Sequence, residues 1–307
     1  MRFGIMSAQL NLLIPAGLPA EELLTHIAKI SHAGLIRELA GRGFDPIELN
    51  GDLAMLLPHL YAPPVIEQLA ALEAEIGVCY TVHLPLWSIE TSTPQAAVRK
   101  GSVQAVIDSI RATQPLEPEA YVLHATGALA AEFYRMNLPD LVKSFLLGQF
   151  QNGARESIQT ILAETGIPSR KIAIETIEFP FEMTQALADE LDLSICFDTG
   201  HVLVGFSGPV DFFDALEQCL PRISDIHLHD GPWQDPEQNI GYGKDHQALG
   251  KGDLDVVRLL DRLSEANYTG PVIFELTVEE ALDSLEVIRA VRPELLSERV
   301  SQRIGTH

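Results

Sequence analysis

Residues 195–201 read Ile-Cys-Phe-Asp-Thr-Gly-His, an apolar run that stops at Asp198 and is followed at once by a glycine turn and a histidine. The apolar residues fit a strand buried on both faces, and Asp198 stands at its carboxyl end. The same design recurs along the chain. Thr-Val-His83, Tyr-Val-Leu-His124, Ile-Ala-Ile-Glu175, Asp-Ile-His227 and Val-Ile-Phe-Glu275 each close an apolar run with an imidazole or a carboxylate.

Working outward, short strand-like runs lie at 2–8, 45–50, 79–85, 120–126, 171–177, 193–199, 223–229 and 271–277. Helical patterns separate them. Val65, Leu69, Leu72 and Ile76 share one face over 64–76, Leu254, Val257, Leu260 and Leu263 over 253–266, and Leu282, Leu285, Ile288 and Val291 over 279–291. Gly41, Gly43, Gly77, Gly166 and Gly270 stand where helices should end. Eight strand-then-helix units without a break in composition predict an α/β chain folded as a single (β/α)8 barrel, the TIM barrel architecture, over 1–292, with a tail over 293–307. A doubly wound sheet would carry a glycine-rich phosphate turn after its first strand, but the residues there are Ser7-Ala-Gln-Leu-Asn-Leu12. Two long connections are expected, 126–155 and 230–252, the latter holding Trp233, Tyr242, Lys244 and His246.

A parallel barrel turns every strand's carboxyl end to one rim, so donors scattered from position 83 to position 275 converge there. Mixed imidazole and carboxylate donors suit Zn2+, Mn2+ or Fe2+ better than Ca2+ or Mg2+. His83, His124 and Glu175, with Asp198, His227 and Glu275, are enough for two ions, and Glu175 can bridge. Glu48, at the end of the second strand, orients a ligand or substrate or caps the next segment. His26, His32 and His59 fall in helix or loop stretches and read as surface residues.

The formal charge of −22 argues against polyanionic partners, so neither nucleic acid nor an anionic membrane is expected. Cys79, Cys196 and Cys219 form no Cys-x-x-Cys pair; Cys79 and Cys196 lie in apolar runs and read as buried thiols, and such a sparse, odd count suits a reducing compartment. The first residues lack the apolar stretch of a signal peptide, so a cytoplasmic location is expected.

These residues resemble the xylose isomerase-like barrel superfamily, from Phe3 to about Val291. Glu175, Asp198, His227 and Glu275 look like its shared metal set. Phe-Asp-Thr-Gly-His at 197–201 and Ala-Leu-Gly-Lys-Gly-Asp-Leu-Asp at 248–255 resemble its sequence signatures. His83 and His124 are similar to two further ligands of the endonuclease IV (family 2 AP endonuclease) group. That resemblance implies a third metal held by His201 and His246. Lys244 stands where the group has an aspartate, which leaves the third ion open, with Asp230, His229 or Asp245 as substitutes and Lys244 itself as a cationic stand-in.

The resemblance implies one of two activities. The first is hydrolysis of a small-molecule phosphoester or phosphodiester by metal-activated hydroxide, with Glu175, Glu275, His201 and Lys244 as the working groups. Cobamide-remodelling phosphodiesterases resemble this group. The second is a sugar or sugar-phosphate isomerase or epimerase, in which Glu175 and Glu275 relay a proton through an enediolate on one ion. Oligomeric state is not legible.

Overall fold

The eight expected strands close into a ring. The computed structural model describes residues 1–15, 17–233 and 243–297. The strands are β1 (Arg2–Met6), β2 (Ile47–Asn50), β3 (Tyr80–His83), β4 (Tyr121–Leu123), β5 (Ile172–Glu175), β6 (Ser194–Asp198), β7 (Ile223–His227) and β8 (Pro271–Phe274). All neighbours are parallel and in sequence order, and β8 returns to β1 through Arg2 opposite Pro271 and Ile5 opposite Phe274. Each observed strand lies inside its expected run and is shorter; past every strand but β2 the run continues in residues such as Leu84 and Ala125 that stay buried beyond the ladder.

Two layers of apolar residues hold the ring. The larger lies between strands and helices and includes Tyr80, Tyr121, Phe197 and Phe274, with Leu69, Ile110, Ile158 and Leu259 from the helices. The smaller fills the lumen and is built from Ala120, Val122, Ala173 and Cys196. These small inward residues set up the site above them. A strand repeats every second residue, so the face that carries Val122, Ala173 and Cys196 carries His124, Glu175 and Asp198 one step higher.

The barrel helices are His32–Gly41, Pro63–Ile76, Ala96–Thr113, Asp140–Thr165, Phe181–Glu190, Phe212–Cys219, Val256–Glu265 and Val278–Val291. Gly77 and Gly166 end theirs with φ of 71° and 69°, a left-handed cap that a side chain adopts only at a cost. Thr277 and Glu280 form a reciprocal capping box at the start of the last helix. Among the described residues no helix is long and apolar enough to cross a membrane.

Three expectations need correction. The connection at 126–155 is mostly helical, formed by Ala128–Arg135 and the start of Asp140–Thr165. Gly153 sits in the helix because a Cβ there would come within 2.3 Å of the Ser92 carbonyl oxygen. His32 is buried rather than exposed; its Nδ1 lies 3.0 Å from the Leu60 carbonyl and its ring packs edge-on against Tyr61. Cys79 is only partly covered, while Cys196 and Cys219 are buried, and all three are free thiols. Tyr242 and His307 lie outside the described residues, as does most of the tail.

Candidate metal centre

Glu175 is the hub of the rim. It is 1% exposed, and its two carboxylate oxygens face opposite partners. Oε2 lies 2.9 Å from His124 Nε2 and 3.3 Å from His83 Nε2. Oε1 lies 2.9 Å from His201 Nδ1 and 3.8 Å from His227 Nδ1. Two donor groups therefore share one carboxylate: His83, His124 and Glu175 on one side, and Glu175, Asp198, His227 and Glu275 on the other, each with its donor atoms within 4.8 Å of one another. His201, His229 and His246 make a third such group.

The Asp198-Thr-Gly-His201 turn can be read atom by atom. Asp198 Oδ1 accepts the His201 backbone N–H at 2.6 Å, which starts the short helix Thr199–Leu203. Thr199 Oγ1 donates to the His227 and His229 carbonyls and accepts the His229 N–H, stitching β6 to β7. Gly200 is glycine because a Cβ there would meet His229 Nδ1 at 2.1 Å. With that ring laid on the turn, His229 Nε2 donates to Asp198 Oδ2 at 2.9 Å, and its Nδ1 accepts the His246 N–H at 2.9 Å. Both ring nitrogens are thus engaged. In this arrangement His229 orients Asp198 and has no lone pair left for an ion.

Asp245 takes the acidic place beside the two remaining histidines. Its Oδ2 lies 2.9 Å from His246 Nδ1 and 3.3 Å from His201 Nε2. Lys244 is exposed, and it is not among the described residues that line the central cavity, although Gly243, Asp245 and His246 are. His246 has a φ of 56°, a costly conformation for a side-chain-bearing residue, and its Nε2 lies 3.2 Å from Glu275 Oε2. Asp230 holds the segment that carries it. This fully buried carboxylate accepts the Gly231 and Leu254 N–H groups on Oδ1 and the Gly250 N–H on Oδ2, each at 2.9 Å. A Cβ on Gly252 would fall 2.4 Å from Asp230 Oδ1, so the 248–255 signature is a backbone clamp rather than a ligand set.

Glu48, which the sequence left between two roles, sits below the ligands. It is fully buried; Thr81 donates to its Oε2 at 2.8 Å, and its Oε1 lies 3.1 Å from His227 Nε2. A carboxylate behind a ligating imidazole fixes the ring and makes the outer nitrogen more basic. Sequence reasoning missed Asp225 and Glu178. Burial and the nearby Glu48 push the Asp225 carboxyl well above its usual range. Glu178, in the left-handed region at φ 65°, places Oε2 3.7 Å from His124 Nδ1. Only the apolar setting of Asp225, in Ile-Ser-Asp-Ile-His, could have flagged it.

Burial opposes charge on His124 and His201, yet the carboxylates outweigh it. His124 is raised well above the usual imidazole value by Glu175 and Glu178, and His201 is pushed up to about 9 by Asp198, Asp245 and Glu175. Glu275 goes the other way: its burial is outweighed by His227 and His246, which draw it down to about 2. Cations fit this donor set. Glu175 Oε1, His201 Nδ1 and His227 Nδ1 are buried without an aligned hydrogen bond, although they crowd together. Buried polar atoms left in that state are costly unless something they all face satisfies them.

The model of the family described as "Xylose isomerase-like TIM barrel" matches residues 36–291. The chain belongs to that family. An uncharacterized protein of Methanocaldococcus jannaschii, MJ1311, is 25% identical over 259 residues, covering 80% of each chain. Among solved structures, a D-tagatose 3-epimerase-like protein superposes with a TM-score of 0.68 at 21% identity, over 98% of this chain and 100% of that one. Endonuclease IV from Thermus thermophilus gives 0.65 at 20% identity, over 96% and 100%. An E. coli 3-keto-D-glucoside 4-epimerase gives 0.65 at 17%, over 94% and 99%. At these identities the structures establish the shared fold of this xylose isomerase-like barrel, and the reaction has to be read from its own side chains.

Proposed function

We propose that this xylose isomerase-like barrel is a divalent-metal-dependent hydrolase of a small-molecule phosphoester, most simply a phosphodiester. The observation that carries the reading is the position of Glu175 between two donor groups, with His83 and His124 on the side that a single-ion site does not need. Ions held there would supply Lewis acidity to a phosphoryl oxygen and to water. The side chains do the rest. Glu48 lies 3.1 Å from the inner nitrogen of His227, His229 fixes Asp198, and Glu178 lies against the outer nitrogen of His124. One water is consumed: its oxygen bonds to phosphorus, the ester P–O bond breaks, and the departing oxygen takes up a proton. That proton is the one the water gives up, and His201, neutral beside the ions and with Asp245 near its outer nitrogen, would hold the departing oxygen by a hydrogen bond.

A second reading is supported by the epimerases among the structures of the same fold. Glu175, Asp198, His227 and Glu275 would hold one ion, His83 and His124 would be pocket walls, and Glu175 and Glu275 would relay a proton between adjacent carbons.

Metal stoichiometry separates the two. Two or more ions per chain, with one lost in His83→Ala together with hydrolysis of bis(4-nitrophenyl) phosphate, is the expected result. One ion per chain, unchanged metal content in His83→Ala and turnover of a ketose would establish the epimerase instead.

A further inference from the structure

Three cavities meet at the metal centre. The central one, about 470 Å³, has apolar walls above the donor floor in Met6, Leu86, Trp87, Ile177 and Phe206. On one side it opens into a chamber of about 290 Å³ that reaches Ile89, Gly127 and Ala128, with Leu86, Trp87, His124 and Glu178 common to both. On the other side it shares Met6, Ala8, His246 and Glu275 with a chamber of about 500 Å³ that reaches Leu10, Asn11 and Leu276. The donor cluster thus lies in the middle of a trough, and each arm is itself close to the size of a small-ligand site, roughly 300–1,000 Å³.

Two further observations describe what the trough accepts. No lysine or arginine is among the described residues that line any of the three cavities, whereas Glu90, Glu178, Glu275 and Glu280 are. The exposed apolar surface is also one-sided. Fourteen large apolar side chains are exposed among the described residues, and every one lies in a connection that follows a strand or in the first two turns of the next helix. Leu10, Met55, Trp87, Leu129, Phe145 and Trp233 are examples, and among the described residues the foot of the barrel has none. Scattered exposed apolar residues need no explanation, but their concentration around one mouth does.

We propose that the substrate is an extended phosphodiester whose phosphorus sits at the junction of the three chambers and whose two substituents, apolar-faced and without further negative charge, lie in the flanking arms. This rests on the hydrolase reading above. Charge selects this occupant. A diester brings one negative charge, which stays beside the metal centre, whereas a terminal phosphate or a polyanion would put more charge near the carboxylates of Glu90 and Glu280 in the arms. A free monosaccharide would leave both arms empty.

The test uses the metal-loaded full chain and three probes: bis(4-nitrophenyl) phosphate, methyl 4-nitrophenyl phosphate and 4-nitrophenyl phosphate. The expected kcat/KM falls in that order, by about tenfold at each step: the first step removes one buried aromatic substituent, and the second replaces a methyl group with a second negative charge. Trp87→Ala and Leu10→Ala each raise KM for the first probe about tenfold and leave its kcat within about twofold. Binding is read separately with diphenyl phosphate, which should quench tryptophan fluorescence, since both tryptophans of the chain lie at the rim. Equal kcat/KM for the two diesters, preference for the monoester, or no quenching overturns the trough while leaving the hydrolase intact. Quenching that Leu10→Ala weakens, with no diester hydrolysed, keeps the trough and removes the hydrolase. A dimer in light scattering that Phe145→Glu dissociates would assign the apolar rim to a second copy and overturn the proposal.

Discussion

At the scale of single residues, the site is a set of buried charges that satisfy one another only incompletely. His227 shows how the pieces depend on each other. Its Nδ1 faces Glu275 at 3.4 Å and its Nε2 faces Glu48 at 3.1 Å. Glu48→Gln keeps the shape and removes the charge behind the imidazole, so metal affinity should drop about 10- to 100-fold while the fold survives. Competition with a chelating dye measures this, and unchanged affinity would make Glu48 a filler. The metal-free site should also carry a pH signature. Burial works against a charged His201, but Asp198, Asp245 and Glu175 bring it up to about 9, against about 6.5 for an unfolded chain. A raised imidazole contributes stability that is complete below about pH 6.5 and disappears as pH climbs through about 9. Chelator-treated protein is expected to melt several degrees lower at about pH 9.5 than at about pH 6, whereas loaded protein, whose ligand imidazoles are already neutral, holds its midpoint. Calorimetry in both states checks it. The donors themselves were legible because each closes an apolar strand, where a lone polar residue has no ordinary reason to be. The choice of Asp245 over Asp230 and His229, and the engagement of both His229 nitrogens, were not, because they depend on how 243–247 folds back over β7, and no periodicity encodes that.

Elements carry the site through a few backbone clamps. Asp230 ties three N–H groups of the segment after β7, and an unpaired buried donor costs about 1–3 kcal/mol. Asp230→Ala should therefore destabilise the protein by about 2–4 kcal/mol in urea titration. It should also loosen the Asp245–His246 end of the cluster more than the His83–His124 end, which metal analysis would register as partial loss. Thr277→Ala, which removes one capping box, is expected to cost about 1 kcal/mol with metal content unchanged. The strands were readable from their apolar runs, and the ends overshot because residues such as Leu84 and Ala125 stay buried after the ladder stops. Gly148 and Gly153 do not break the Asp140–Thr165 helix. In a helix pressed against a neighbouring backbone, a glycine such as Gly153 is the residue that permits the approach.

For the whole molecule, the division between a chemical rim and an inert foot follows from the parallel ring. A chain with a charge of −22 and no cationic residue among those described around its cavities should not hold duplex DNA, although endonuclease IV has the same fold. No gel shift of an abasic-site duplex is expected below about 10⁻⁴ M protein at physiological salt. A shift there would reverse the substrate class. Fold class was readable because eight alternations leave few topologies. Substrate class was not, because it depends on which rim side chains stay uncovered.

The ring closes only when β8 reaches β1, and the last donor, Glu275, follows immediately after β8. A nascent chain still lacking β8 therefore has most of the donors and no cage to hold them in. An ion bound there would be gripped only once both ends of the circle have met.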